Sequence, residues 1–295
     1  MAQRSASRVK KEDAVEEIYY RKGDIDFCFL LNRRHHNLRV FDYRVGNYQQ
    51  KRDFFDRIAW SEGLKKVYTV VEKQDSKSWR SVGFSREGAI PGYFRTADAY
   101  VMSRVYTDDG EPIAGGAPKL NAPSYKPREL EVSLPKSLSF DVVEDETVLD
   151  RVTRAHENDA LYAPFRREVY RPDVAIKGRV GRREFWVGAE TDSSFGHAKV
   201  DVLAGAEALG KDETFAIYVA AMEQLISELA ARDTASAFAV CPVDVPALNE
   251  LFATLGFKVT GRLTDHLVRG DGYVGAQIWH KRVVHTQTPK ISVFG

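Results

Sequence analysis

The sequence predicts a mixed α/β (α+β) protein with a largely antiparallel sheet, built from two related units of which the first is partial. Three observations predict it. Strands with period-two alternation are interspersed with amphipathic helices, one order of elements occurs twice, and a proline-rich stretch separates the two occurrences. The length of 295 residues also corresponds to about two domains of ordinary size.

The first half begins with about 16 charged residues that predict no regular element. Two strands follow between residues 24 and 45, because apolar and polar side chains alternate through IDFCFLL. Residues 47–62 carry apolar side chains at helical spacing, and Gly63 follows them as a helix C-terminal glycine. KVYTVVEK predicts a β-branched strand, and residues 76–106 predict a short helix, a Gly-Phe turn and two more strands.

The stretch 107–136 contains five of the eleven prolines and a Gly-Gly pair. Proline fixes φ and removes a backbone donor, so we expect an extended connector with a domain boundary and a separate core on either side. The expected division is a partial domain over residues 1–106, a linker over 107–136, a complete domain over 137–284 and a tail over 285–295.

The second half opens with a strand and a helix in SLSFDVVEDETVLDRV, followed by antiparallel strands in REFWVGAET and GHAKVDVLAG. A long helix is predicted from Glu213 to Arg232, since its apolar residues recur every three or four positions. SAFAVCPV predicts a strand and PALNELFATLGF a helix ending in a turn. Two final strands complete the half.

The two halves repeat one another. In each, an amphipathic helix leads to a strand, a short helix, a Gly-Phe turn and two strands. The counterparts are KVYTVV and SAFAVC, SVGFSREG and TLGFKVTG, and AYVMSRVY and AQIWHKRV. Within the last pair we match Tyr106 with Trp279 and expect both to be structural rather than functional residues.

Composition excludes several classes of function. A formal net charge of +1 argues against bulk attraction to nucleic acid or to anionic membranes, and no apolar run is long enough to span a bilayer. Cys28 and Cys241 form no CxxC pair, and the seven histidines show no ligand spacing, so we expect no metal site. The absence of a secretory signal in the first residues leads us to expect a cytoplasmic protein.

The order of elements, with LNELFATLGFKVTGRLTDHL and AQIWHKRV in the second half, resembles the GNAT superfamily of N-acetyltransferases. Together with VGFSREGAIPGYF and AYVMSRVY in the first half, it resembles more closely the β-lysine N-acetyltransferases. The likeness covers residues 24–106 and about 140–284. It implies transfer of an acetyl or acyl group from acetyl-CoA to a primary amine of a small molecule, such as an amino acid or a polyamine.

The resemblance also implies a donor site. In that family a strand end polarises the thioester carbonyl, and a glycine-containing loop before the long helix binds the pyrophosphate. An ungapped register puts Leu-Gly-Lys-Asp, residues 209–212, where the family often has Arg-Gly-Lys-Gly. The short helix in LNELFATLGF adds two further donor-binding positions. The donor-binding residues so implied are Val202, Leu203, Ala204, Leu209, Gly210, Lys211, Asp212, Asn249 and Phe252.

Acid–base chemistry has three candidates. Glu190 and Asp201 stand on neighbouring strands as general bases, although strand-end or surface carboxylates are the alternative reading of both. Tyr218 is the candidate acid, with core packing as its alternative. Tyr162 and Phe165 are candidates for lining the substrate pocket.

A second function stays open, because the loop departs from the family pattern. Leu209 replaces the arginine, Asp212 is a good helix N-cap that competes with the pyrophosphate, and Phe252 replaces a tyrosine acid. These changes favour a non-catalytic tandem module that binds a protein or a metabolite. The partner is then a small-molecule amine or a protein, and a homodimer is left open. The basic run 33–36 is either an anion site or a solvated hairpin tip.

Overall fold

The computed structural model describes residues 15–22, 25–42, 47–158, 172–204 and 208–283. The first half contains β1 (Val15–Lys22), β2 (Ile25–Asn32), β3 (Asn37–Asp42), α1 (Tyr48–Glu62), β4 (Lys66–Glu72), α2 (Ser76–Ser81), β5 (Ser85–Phe94) and β6 (Ala97–Val105). The second half contains β7 (Ser139–Val143), α3 (Glu146–Asn158), β8 (Val174–Val180), β9 (Arg183–Asp192), β10 (His197–Ala204), α4 (Asp212–Ala231), β11 (Ser236–Pro242), α5 (Pro246–Thr254), β12 (Lys258–Arg269) and β13 (Gly272–Arg282).

These strands form one thirteen-stranded sheet in the order β1-β2-β3-β4-β6-β5-β12-β13-β11-β10-β9-β8-β7. Neighbouring strands are antiparallel except for two parallel pairs, β3 with β4 and β10 with β11. The two exceptions occupy corresponding places, and the strand order on one side of the β5–β12 junction mirrors the order on the other. The predicted mixed fold with a largely antiparallel sheet and two related units, the first one partial, is confirmed. β1 was not predicted.

The junction between the halves depends on two glycines. Gly88 of β5 pairs with Gly261 of β12, and a Cβ added to Gly88 would lie 2.6 Å from the Cα of Gly261. The two glycines are counterparts in the sequence repeat, and a register shift accompanies each of them. The halves therefore meet around a pseudo-twofold relation that brings equivalent glycines together, because any side chain there would separate the strands.

One expectation from the repeat is wrong. Tyr106 is not the counterpart of Trp279, because the register that aligns Ala99 with Ala276 aligns Met102 with Trp279. Both Met102 and Trp279 are buried, each in the core of its own half. Tyr106 is also buried, and its hydroxyl donates a hydrogen bond to Asp56 at 2.8 Å.

The two halves have separate cores beneath their helices, as expected, but they also share a third cluster that was not expected. One core lies beneath α4 and α5, and another beneath α1 and α2. A third cluster is shared between the halves, because β5 and β6 lie beside β12 and β13 and bury their apolar side chains together. Its buried members are Ile90, Ala99, Val101, Phe238, Leu263, Leu267, Ala276 and Ile278.

The connector carries no helix or strand, as its prolines predict, yet it packs against the second half. The Thr264 hydroxyl donates to the Pro118 carbonyl at 2.6 Å, and the Tyr125 hydroxyl donates to the Val243 carbonyl. Leu130 packs on the core beneath α4. The domain limits themselves remain a prediction.

Candidate functional site

The sheet opens between β10 and β11. Their parallel pairing runs from His197 to Lys199 and stops there, so the following residues of the two strands diverge. β10 also carries a register shift between Val202 and Ala204, which leaves Leu203 without a partner residue on β9. Val202 points into the core beneath α4, whereas Leu203 packs on the opposite face against α3. The end of β10 beside this opening therefore carries side chains on both faces of the sheet.

The start of α4 faces one side of this opening. The helix begins at Asp212 and its N-cap is Lys211, which corrects the expectation that Asp212 is the cap. The space around Gly210 is open, since an added Cβ would meet no atom within 4 Å. The Leu209 side chain lies fully in the core, so only the backbone of this residue is available to a ligand. Backbone N–H groups and the positive end of the helix dipole make such a helix start suitable for an anion.

Arginines pair with the two acids at the start of α4. The Arg128 guanidinium, from the connector, lies 3.3 Å from Asp212 and 2.5 Å from Glu250, and it sits 4.1 Å from the centroid of the Phe215 ring. Glu213 is paired with an arginine of β9 at 3.0 Å. These pairs offset the repulsion that the acids would otherwise exert on a bound anion.

Two residues implied by the resemblance, Asn249 and Phe252, have internal partners. Asn249 is fully buried: its amide donates to the Pro242 carbonyl at 2.7 Å, and its oxygen accepts from the Trp279 indole at 2.8 Å. Phe252 is buried against Phe257, with ring centroids 5.1 Å apart.

Tyr218 is buried too, and its hydroxyl donates to the carbonyl of Ala204. That bond ties the end of β10 to α4. Tyr218 also meets the Phe185 ring edge-on at 5.5 Å. Its position is that of a core residue whose hydroxyl holds the strand end beside the opening.

The two candidate bases lie on the other face of the sheet. Lys199 and Asp201 alternate along β10 with residues of the α4 core, so they point away from it. Glu190 on β9 is the cross-strand partner of Lys199, and the Lys199 ammonium lies 2.7 Å from the Asp201 carboxylate. Asp201 is buried, whereas Glu190 and Lys199 are half-buried. The structure therefore brings both predicted bases into one charged cluster.

The first half adds residues to this cluster that sequence reasoning missed. Arg39 on β3 is the register partner of Tyr68 on β4, and its guanidinium lies 4.5 Å from the centroid of the Phe41 ring. Burial lowers the pKa of Arg39, but electrostatic interactions with Tyr93, Tyr68 and Glu190 outweigh burial, so the pKa is raised.

Two histidines complete the cluster. The Tyr93 ring stacks on His197 with centroids 4.0 Å apart, and the Tyr68 ring meets His266 edge-on at 5.1 Å. Burial lowers the pKa of His197 and lowers that of His266 well below its usual value, so both rings are neutral at pH 7. The charged side chains on this face of β9 and β10 include those of Glu190, Lys199 and Asp201.

The remaining predicted residues lie elsewhere. Tyr162 and Phe165 fall outside the described residues. In the basic run 33–36, Arg33 pairs with two glutamates, and His35 accepts the Val268 N–H at 2.9 Å, so the hairpin packs on the second half. Within the described ranges, no group of three metal-ligating side chains occurs and no helix is long and apolar enough to cross a membrane.

A wide cleft of about 780 Å³ lies in the first half, between α2 and the connector. Its most buried cation, Arg104, makes a two-pronged pair with Asp56 at 2.7 and 2.9 Å. Because Asp56 occupies the Arg104 guanidinium, we place the candidate site at the cluster around Glu190 rather than in this cleft.

No protein-family model and no curated protein matches the chain. Solved structures similar to it are GNAT N-acetyltransferases at low sequence identity. A GNAT superfamily phosphinothricin acetyltransferase from Sinorhizobium meliloti, in complex with acetyl-CoA, is 13% identical over 50% of this chain and 89% of that chain, with a TM-score of 0.40. The ribosomal-protein-S18-alanine N-acetyltransferase from Escherichia coli is 16% identical over 51% and 98%, with a TM-score of 0.39. An N-acetyltransferase from Staphylococcus aureus Mu50 is 15% identical over 50% and 99%, also at 0.39.

Proposed function

We propose that this chain is a GNAT-type N-acyltransferase that moves an acyl group from an acyl-CoA to a primary amine of a small molecule. The observation that carries the proposal is the opening between β10 and β11. A helix start suited to an anion lies on one side of it, and two carboxylates lie on the other. A donor and an acceptor can therefore approach one another through the sheet from opposite faces.

The donor side requires groups for a pyrophosphate. The backbone around Gly210 is open, and Lys211 and Arg128 supply positive charge beside the helix start. The pyrophosphate would compete with Asp212 for Arg128. We therefore expect the chain to bind acyl-CoA more weakly than it would if this loop carried no carboxylate. The thioester supplies an electrophilic carbonyl carbon and a thiolate leaving group.

On the acceptor side, Glu190 is the better base. It is half-buried, so an amine can reach its carboxylate, whereas Asp201 is buried. Glu190 takes a proton from the amine as its nitrogen bonds to the acyl carbon and the carbon–sulfur bond breaks. The products are an amide and a CoA thiolate, which then takes up a proton. A thiol pKa of about 8.5 makes the thiolate a good enough leaving group that a tyrosine acid is not required.

Two measurements on the full-length chain test the proposal. Calorimetric titration with acetyl-CoA should give saturable binding, and a panel of amines should include at least one that is acetylated. Glu190→Gln should lower kcat by about 10²–10⁴-fold and leave the acetyl-CoA Kd unchanged. Glu228→Gln, on the exposed face of α4, is the matched control and should behave like the parent. Acetylation that survives Glu190→Gln undiminished would rule out Glu190 as the base.

One observation favours a non-catalytic binding module instead. Arg128 bridges Asp212 on α4 and Glu250 on α5, so a segment of the chain already contacts both helices beside the opening. If Arg128 never leaves these two carboxylates, titration with acetyl-CoA up to about 1 mM should give no saturable heat. A Kd of about 1 mM corresponds to a binding free energy of about 4 kcal/mol, so any binding would be weaker than that. The same titration therefore separates the two functions.

A further inference from the structure

The cleft of about 780 Å³ between α2 and the connector is rich in positive charge. Three arginines line it, Arg80, Arg86 and Arg104, and the described residues of its lining include no aspartate or glutamate. Arg80 and Arg86 are exposed, and neither forms an ion pair with any residue in the described ranges. The Arg86 guanidinium lies 4.6 Å from the centroid of the Tyr100 ring. Two of the three positive charges are therefore left without a counter-charge.

The third arginine, Arg104, is fixed in orientation by a carboxylate. Its Nε and Nη2 atoms donate to the two oxygens of Asp56 at 2.7 and 2.9 Å. The third nitrogen, Nη1, has only a long contact with the Gly83 carbonyl, at 3.4 Å. A Cβ atom on Gly83 would overlap Nη1, so the guanidinium reaches this place because residue 83 has no side chain. Since Nη1 carries two N–H groups, Arg104 keeps a donor for a ligand in the cleft.

The internal repeat shows that the other two arginines are not required to build the unit. Aligning SVGFSREG with TLGFKVTG places Ala253 at the position of Arg80 and Val259 at the position of Arg86. The second half forms the same short helix, Gly-Phe turn and strand with these uncharged side chains. The two arginines are therefore a feature of the first half alone, and a role in binding accounts for them better than a role in folding.

The chemistry of the lining favours a small organic phosphate. A phosphate monoester carries about −1.5 to −2 charges and three acceptor oxygens, whereas a carboxylate carries one charge and two oxygens. The phosphate therefore matches two uncompensated guanidinium groups more closely. Apolar side chains of Phe84, Pro112 and Ile113 line the same cleft, and its volume falls in the range of small-molecule sites, about 300–1,000 Å³.

We propose that this cleft is a second ligand site, which binds a small organic phosphate in addition to the proposed acyl-transfer site. The phosphate binds Arg80, Arg86 and the Nη1 atom of Arg104. The organic part lies against the apolar side chains and against residues 112–116 of the connector. Binding consequently holds this part of the connector on the first half.

The test uses probe pairs that differ by one phosphate: AMP and adenosine, glucose 6-phosphate and glucose, phenyl phosphate and phenol. Calorimetric titration of the full-length chain should show at least one organic phosphate binding saturably, at least about tenfold more tightly than its partner and than inorganic phosphate. Replacing both Arg80 and Arg86 by glutamine should weaken that binding about 10–100-fold. The matched control replaces Arg52 and Arg57, two arginines of α1 outside the cleft, by glutamine and should retain the parent affinity. Absence of saturable binding by every organic phosphate, or equal affinity in the parent and the Arg80/Arg86 variant, would overturn the proposal.

Hydrogen exchange locates the bound phosphate. At a ligand concentration ten times the Kd, about one molecule in eleven is unliganded, so exchange of the amides of residues 113–117 should slow by up to about tenfold. Exchange at the start of α4 should not change, and Lys211→Gln should keep the parent affinity for the same probe. Protection at the start of α4 instead, or affinity lost in Lys211→Gln, would assign the phosphate to the donor side and refute a second site. None of these measurements uses acetyl-CoA, so the outcome is independent of the proposed acyl transfer.

Discussion

Replacing Lys66 by methionine removes one charge from an ion pair that is buried where the two halves meet. The Lys66 ammonium lies 2.5 Å from the Glu87 carboxylate and donates to the Thr264 carbonyl of β12 at 2.7 Å. Glu87 in turn accepts the Thr264 N–H at 2.7 Å. The side chains of Lys66 and Glu87 are 0% and 4% exposed, so water cannot replace either partner. The substitution keeps the apolar stem and deletes the ammonium group alone.

The expected loss is large because Glu87 would stay buried with one hydrogen bond and no counter-charge. Removing one partner of a buried pair costs about 3–5 kcal/mol of unfolding free energy. Lys65→Met is the matched control, because the Lys65 ammonium pairs with the exposed carboxylate of Asp108. Its substitution should cost at most about 1 kcal/mol. Adding Glu87→Gln to Lys66→Met should recover part of the loss, because the amide carries no charge.

Urea unfolding followed by far-ultraviolet circular dichroism and tryptophan fluorescence gives the free energies. The fluorescence reports both halves, since Trp79 is buried in the first and Trp279 in the second. Hydrogen exchange should show lost protection on both sides of the junction, because the pair joins β4 and β5 to β12. A cost for Lys66→Met below about 1 kcal/mol, or loss of protection confined to the first half, would refute this account of the junction.

Four other outcomes are expected. Burial lowers the pKa of His266 well below its unfolded value of about 6.5. The contribution of His266 to stability is therefore complete above that pH and is lost as the pH falls, by at most about 1.4 kcal/mol per pH unit. His266→Gln should reduce the pH dependence of the free energy of unfolding, measured in urea from about pH 7.5 to about pH 5.5. Gly261→Ala places a methyl group 2.8 Å from the Cα of the glycine opposite and should cost about 1–3 kcal/mol in the same assay, whereas Gly272→Ala, with nothing within 4 Å, should change little. Asp212→Asn releases Arg128 from its carboxylate and should tighten acetyl-CoA binding a few-fold by calorimetry, more at low salt; unchanged affinity would contradict the assigned donor side. Limited proteolysis should cut first within residues 107–136, and a first cut inside the described part of the second half would contradict the domain limits.

Local patterns in the sequence determined most elements of this fold. The apolar spacing before Gly63 predicted α1, and that glycine ends the helix with φ of 64° as a left-handed C-terminal residue should. Helical periodicity likewise predicted α4, and the repeat predicted two related units. Each of these signals depends on residues close together in the chain, where periodicity and backbone preference act directly.

Only the tertiary structure decided how the halves combine. The pairing of Gly88 with Gly261 and the stacking of Tyr93 on His197 join residues far apart in sequence, and no local preference encodes such contacts. Strand alternation limits each side chain to one of two faces, but which faces of the two halves coincide depends on long-range pairing and close backbone approach. The strands that carry the candidate bases were therefore predictable, whereas the residues of the first half that pack beside β10 were not.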